Sequence, residues 1–202
     1  MDSDLAEAIS ALKDALNSLG VSARFDSGDR MLIDGLGTKL ELPRRYIEFL
    51  LDSDPVDVES QTPSERVRLL PAGELVDEQK GFALTDAGEL IESPLSNGWR
   101  PSWIIIGISG LLGDPYFLDV SNVDTEGDCP VYTAMSGTDT WQPKLCASSF
   151  AMFLRILAVT MEVAQGFDMD DYDMDNEHVF REAIGPRIRE YDPAALKAGH
   201  WT

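Results

Sequence analysis

The segment Trp103-Ile-Ile-Ile-Gly-Ile-Ser-Gly-Leu-Leu-Gly-Asp-Pro-Tyr-Phe-Leu-Asp119 constrains the fold more than any other part of the chain. Ile104 to Ile106 are consecutive β-branched residues, which favour extended backbone because branching at Cβ restricts χ1 and packs well on a pleated surface. Gly110 to Gly113, followed by Asp114-Pro115, supply turn chemistry. Beyond the turn, Tyr116, Leu118 and Val120 alternate with Phe117 and Asp119, the pattern of a strand with one well-buried face.

Further strands are expected at Val131 to Met135 and Trp141 to Cys146. Near the start, Leu5, Ile9, Leu12, Leu16 and Leu19 form one stripe of a helix, and Gly20 stands where a left-handed cap belongs. Val21 to Phe25 and Met31 to Ile33 flank Asp26-Ser-Gly-Asp29 and predict a hairpin. Pro43 suits a first helical position, with Tyr46, Phe49 and Leu50 on one face behind it. Residues 52–66 and 85–98 predict solvated loops. Ser148 or Ser149 caps a helix bearing Phe150, Phe153, Leu154, Leu157 and Met161. A helix around Val179 to Ile184 is expected to break at Gly185-Pro186, and Asp192-Pro193 to begin a last short turn. The sum is an α+β fold, a mainly antiparallel sheet of about four to six strands flanked by helices. Its expected division is an N-terminal helix and hairpin over 1–40, a core over 41–165 and an acidic helical extension over 166–202.

Charge narrows the function classes. Of 202 residues, 36 are acidic and 16 basic, for a net charge of −20. Such a surface repels nucleic-acid phosphates and anionic membranes and attracts basic proteins. The N-terminus is acidic rather than signal-like, and no apolar run approaches the roughly 20 residues of a membrane span, so a cytoplasmic protein is expected. Cys129 and Cys146 are far apart and lack histidine neighbours, which fits reduced structural thiols and gives zinc no ligand set. His178 and His200 neighbour no nucleophile motif, and no phosphate-binding glycine loop is present. No catalytic residue, metal or cofactor is expected.

Four pieces in order carry a resemblance: Leu42-Pro43-x-x-Tyr46-x-x-Phe49-Leu50; Trp103-x-x-Ile106-Gly107 leading into Gly113-Asp114-x-Tyr116-x-Leu118-Asp119; Pro130-Val131-Tyr132; and Ala147-Ser148-Ser149-Phe150-x-x-Phe153-Leu154. Over residues about 40–165 the chain resembles the SUKH superfamily, also called the Smi/Knr-like cell-wall-assembly-regulator family. The resemblance implies a binding protein without catalysis. Bacterial members look like immunity proteins that neutralise toxins, often nucleases, whereas fungal relatives act as regulatory hubs. Alternatives are an adaptor for an endogenous protein and, third, a carboxylate-dependent enzyme.

Candidate partner-facing residues are Trp99 beside Arg100, then Asp114 and Tyr116 at the start of the second strand. Trp103, at a strand start, reads as core, and Trp99 fits either core or surface. Asp114 and Asp119 form a conceivable carboxylate pair, but aspartates at strand ends more commonly accept backbone hydrogen bonds. Asp171, Asp173, Asp175 and Glu182 match calcium-loop positions 1, 3, 5 and 12; Asn176 at the glycine position and His178 at the apolar one argue for coincidence. Asp170, Asp171, Asp173 and Asp175 fit better as a negative patch for a basic toxin. Neutralising these four together is expected to weaken partner binding and leave the unfolding midpoint in place. Unchanged affinity would remove the patch from the interface.

Overall fold

The computed structural model describes residues 3–135, 137, 139–168 and 174–202. Helix α1 (Ser3–Ser18) buries Leu5, Ile9, Leu12 and Leu16, the stripe its spacing predicts. It ends at Gly20, whose φ of 67° lets its N–H reach the Asn17 carbonyl and the Val21 N–H reach the Leu16 carbonyl. Carbonyls that the last turn would leave unpaired are satisfied in this way.

The hairpin expected over 21–33 does not form. Its first arm is β1 (Arg24–Asp26), but the second lies within helix α2 (Arg30–Leu40). The Asp29 carboxylate accepts from the N–H groups of Met31 and Leu32 at 2.8 and 3.1 Å and starts that helix. One side chain thus pairs two otherwise orphaned donors, which a tight turn would not do. After helix α3 (Arg44–Ser53), β1 finds its antiparallel partner in β2 (Asp54–Asp57).

Residues 52–66 are likewise not the solvated loop their composition predicts. They carry β2, β3 (Glu59–Gln61) and the first residue of β4 (Arg66–Leu69). The short helix α4 (Leu75–Glu78) precedes β5 (Trp103–Ser109) and β6 (Pro115–Asp119), the two strands expected either side of the Gly110–Gly113 turn. With β7 (Val131–Thr133) and β8 (Lys144–Ala147) they complete a six-stranded antiparallel sheet in the sequential order β3-β4-β5-β6-β7-β8. Gly107 lies where β4 and β5 approach closely: a Cβ there would meet the Arg68 carbonyl at 3.0 Å. Beyond the end of β4, the buried Gln79 amide replaces a strand. Its Nε2 donates to the Ile105 carbonyl and its Oε1 accepts the Ile105 N–H, both at 2.9 Å.

Register divides the sheet into two faces. Trp103, Ile105, Phe117 and Tyr132 share one, covered by Phe82, Trp99 and Trp141. Ile104, Leu118 and Val131 share the other, which also carries Tyr116 and packs on α5 (Phe150–Ala164), with Phe153 5.5 Å from the Tyr116 ring. Ser149 caps α5, and α1 lies along it. Helix α6 (Met174–Tyr191) runs through Gly185-Pro186 instead of breaking there. Phe180, Ile184 and Ile188, four residues apart, are buried, while the Glu182 carbonyl that Pro186 cannot pair belongs to an exposed residue. Helix α7 (Pro193–Ala198) and Trp201 then tie the C-terminus to β8. Asp192 accepts from the N–H groups of Ser148 and Ala195, and the Trp201 indole donates to the Cys146 carbonyl at 2.8 Å. The extension is therefore part of the core.

Asp128, fully buried, organises the other end of α5. Its carboxylate accepts from the N–H groups of Phe150 and Ala151 at 2.7 and 3.2 Å and pairs with Arg45 Nη1 at 3.1 Å. Removing one member of a buried pair strands the other without water. Asp128→Ala is expected to cost about 3–5 kcal/mol in denaturant unfolding. A loss below about 1 kcal/mol would mean that the exposed carboxylates of Asp4 and Glu126, also near Arg45, suffice.

Candidate functional site

Where the β5–β6 hairpin turns, β4 begins, β7 ends and the C-terminal tail crosses, the sheet leaves a cavity of about 330 Å³. Glu65 precedes β4, Asp114 precedes β6, and Thr133 closes β7 opposite Tyr116. Ala134 and Met135 continue past the strand, Lys144 starts β8, and His200 forms the wall supplied by the tail. Strand pairing thus brings the ends of β4, β6, β7 and β8 together, and the course of the tail adds His200.

A hydrogen-bonded chain lines the buried side. The Tyr116 hydroxyl lies 3.2 Å from His200 Nε2 and is close enough to the Glu65 carboxylate to feel its charge. The buried pair is satisfied with His200 Nε2 as donor and the Tyr116 oxygen as acceptor, or the reverse. Ser109 Oγ donates to Glu65 Oε1 at 2.8 Å, and the Arg66 N–H does so at 3.0 Å. Burial nevertheless pushes the Glu65 carboxyl up from its ordinary range, against those hydrogen bonds and the attraction of Arg181. Burial also holds the Tyr116 hydroxyl and the Cys146 thiol well above their usual values, Glu65 adding to both. His200 moves the opposite way, to about 3, because desolvation and the nearby Arg181 and Lys144 disfavour its cation. At neutral pH the wall therefore holds a neutral imidazole, and the phenol and thiol buried behind it are un-ionised. Groups in those states hold and shape a ligand; they are poor nucleophiles.

The candidates picked from sequence separate into three places. Asp114 lines this cavity, whereas Tyr116 is wholly buried behind it, its hydroxyl set against the His200 ring that forms part of the wall. Trp99 is also wholly buried, its ring 5.4 Å from that of Trp103, so it supports the sheet rather than offering a surface. Arg100 is exposed, 5.4 Å over the Trp103 ring, at the opposite end of the β5–β6 hairpin. Asp170, Asp171 and Asp173 lie outside the described residues; Asp175 is exposed in the first turn of α6. Residues 174–182, positions 4 to 12 of that match, are helical, which leaves no sharp turn at position 6 for a calcium loop to close around an ion. Among the described residues no cluster of His, Cys, Asp or Glu is placed to hold a metal ion, and no helix is long and apolar enough to cross a membrane. Asp119 accepts from Ser121, Asn122 and Ser102, the strand-end role expected of it. Asp114 and Asp119 stand about 15 Å apart along extended backbone, too far for a carboxylate pair. The thiol of Cys129, like that of Cys146, is buried, free and raised by desolvation.

Glu65, Lys144 and His200 were not singled out from sequence. For Glu65 a signal existed, because Val67 and Leu69 alternate with Arg66 and Arg68 directly after it, marking a strand that begins where the supposed loop ends. Nothing local marks His200, whose role depends on the path of the tail.

The model of the family described as SMI1 / KNR4 family (SUKH-1) matches residues 36–156. No curated protein matches the chain. The matched span contains Glu65, Asp114 and Tyr116, whereas Arg181 and His200 lie beyond it.

His200 stays neutral in the folded chain down to about 3, whereas an unfolded histidine protonates near 6.5. Between those values the unfolded chain binds more protons, so this residue lowers stability as pH falls and contributes nothing above 6.5. His200→Gln is expected to flatten the stability curve between pH 6.5 and 4 in denaturant unfolding. Equal slopes for both chains would mean that the ring is solvated.

Proposed function

The chain belongs to the SMI1 / KNR4 family (SUKH-1), and from that premise we propose that it is a bacterial immunity protein, a non-catalytic module that neutralises a cognate toxin by direct binding. The observation that carries this reading is the excess of 36 acidic over 16 basic residues. Several of the cations are engaged internally: Arg45 faces Asp128, Glu126 and Asp4, and Arg68 faces Glu74 and Glu78. The surplus that partners meet is therefore negative. Toxins that cleave nucleic acid carry basic clefts for phosphate, and an acidic protein is steered to such a cleft and held there by complementary charge. Acidic side chains would then occupy the positions of substrate phosphates and occlude the groove.

The test is an affinity pull-down from native lysate at low and high salt, read by mass spectrometry. One basic partner, bound at low salt and released at high salt, is the expected outcome. A single partner indifferent to salt would overturn electrostatic recognition. A spread of ordinary cellular proteins would favour a regulatory adaptor on the same fold, and no partner at all would return attention to the carboxylate-dependent enzyme.

A further inference from the structure

We propose that the cavity between Glu65, Asp114, Met135 and His200 is the receptor for a single arginine side chain of the protein partner. The inference rests on the protein-binding role above and assigns one contact within it. The cavity, about 330 Å³, lies at the small end of the range for ligand pockets, which suits one side chain better than a cofactor. Its lining combines the Glu65 and Asp114 carboxyls with the apolar Ala134 and the exposed Met135. A guanidinium fits the first and an aliphatic stem the second. The raised carboxyl of Glu65 points the same way, since its charge is incompletely compensated by the neighbours it has. An arriving cation would supply what is missing.

The cations already present do not fill that role. Arg181 is held by Glu177 through Nε and by the His200 carbonyl through Nη1, both at 2.9 Å. Lys144 reaches out to the Gly199 carbonyl at 3.4 Å. The His200 ring, wedged between Tyr116 and Trp201 with ring centroids 5.8 and 4.5 Å away, is uncharged. It closes one wall without repelling a guest. Arginine is favoured over lysine because its planar fork carries five donors, is weakly hydrated and meets carboxylates with two hydrogen bonds at once. A desolvated arginine in a central pocket is also a common anchor of protein interfaces.

The probe is N-acetyl-arginine amide, which mimics an arginine within a chain, titrated into the whole protein and followed by amide NMR shifts. Saturable shifts are expected at Asp114, Thr133 and Met135, with weaker binding of N-acetyl-lysine amide. Glu65→Gln and Asp114→Asn are each expected to weaken arginine binding about tenfold, the effect of one charged hydrogen bond. Both replacements keep shape and hydrogen bonding, and their unfolding midpoints report whether the fold survives. If Glu65→Gln does not fold, Asp114→Asn decides alone. Absence of saturable shifts, or affinity indifferent to the substitutions, overturns the proposal. So does tighter binding of free arginine, whose carboxylate would reach Lys144 and mark a site for a free amino acid. A chain that recovers a basic partner yet ignores the capped arginine would lose the receptor and keep the binding role.

Discussion

The buried carboxylate of Asp128 is the interaction on which the arrangement of helices depends. It sits at the N-terminus of α5, where unpaired N–H groups and the helix dipole favour negative charge, and Arg45 of α3 balances it from the other side. Helix α5 is the central support: α1 lies along it, α6 packs against it, and Phe153 meets the sheet through Tyr116. Fixing its first turn therefore orients the helical layer against the strands. A chain with so large a negative surplus gains doubly, because Arg45 draws in the loop bearing Glu126 and Asp128, whose carboxylates would otherwise repel each other.

At the other end of the sheet the C-terminal extension performs a second joining. Asp192 and Trp201 attach it to residues flanking and within β8, and Arg181 holds the His200 carbonyl. The region matched to the family ends inside α5, yet the cavity beside Asp114 has a wall that only the later residues build. A family fold thus supplies the floor of the site and this chain's own tail supplies its closure.

Much of the fold was legible. The β5–β6 hairpin, β7, β8 and the helices carrying Leu5 and Phe150 stand where apolar spacing puts them, because in each a buried face repeats with the period of the element. The errors share one cause. At Asp29, in residues 52–66 and at Pro186, polar or helix-breaking residues suggested interruption, whereas a cap, strand pairing or a buried apolar stripe overruled them. The site was half legible: Asp114 and Tyr116 lie on an element that sequence identifies, but Tyr116 contributes only its hydroxyl, and Trp99 proved to be interior.

The sequence by itself determined the hairpin at the heart of the sheet, the acidic surplus and the absence of a nucleophile motif, since these depend on neighbouring residues and on sums over the chain. Only the tertiary structure decided that Glu65, Asp114 and His200 border one cavity, and that His200 is neutral there. The physical reason is distance along the chain. Local pattern fixes which face of an element is buried, but strand order and the course of the tail fix which charges share that low-dielectric space.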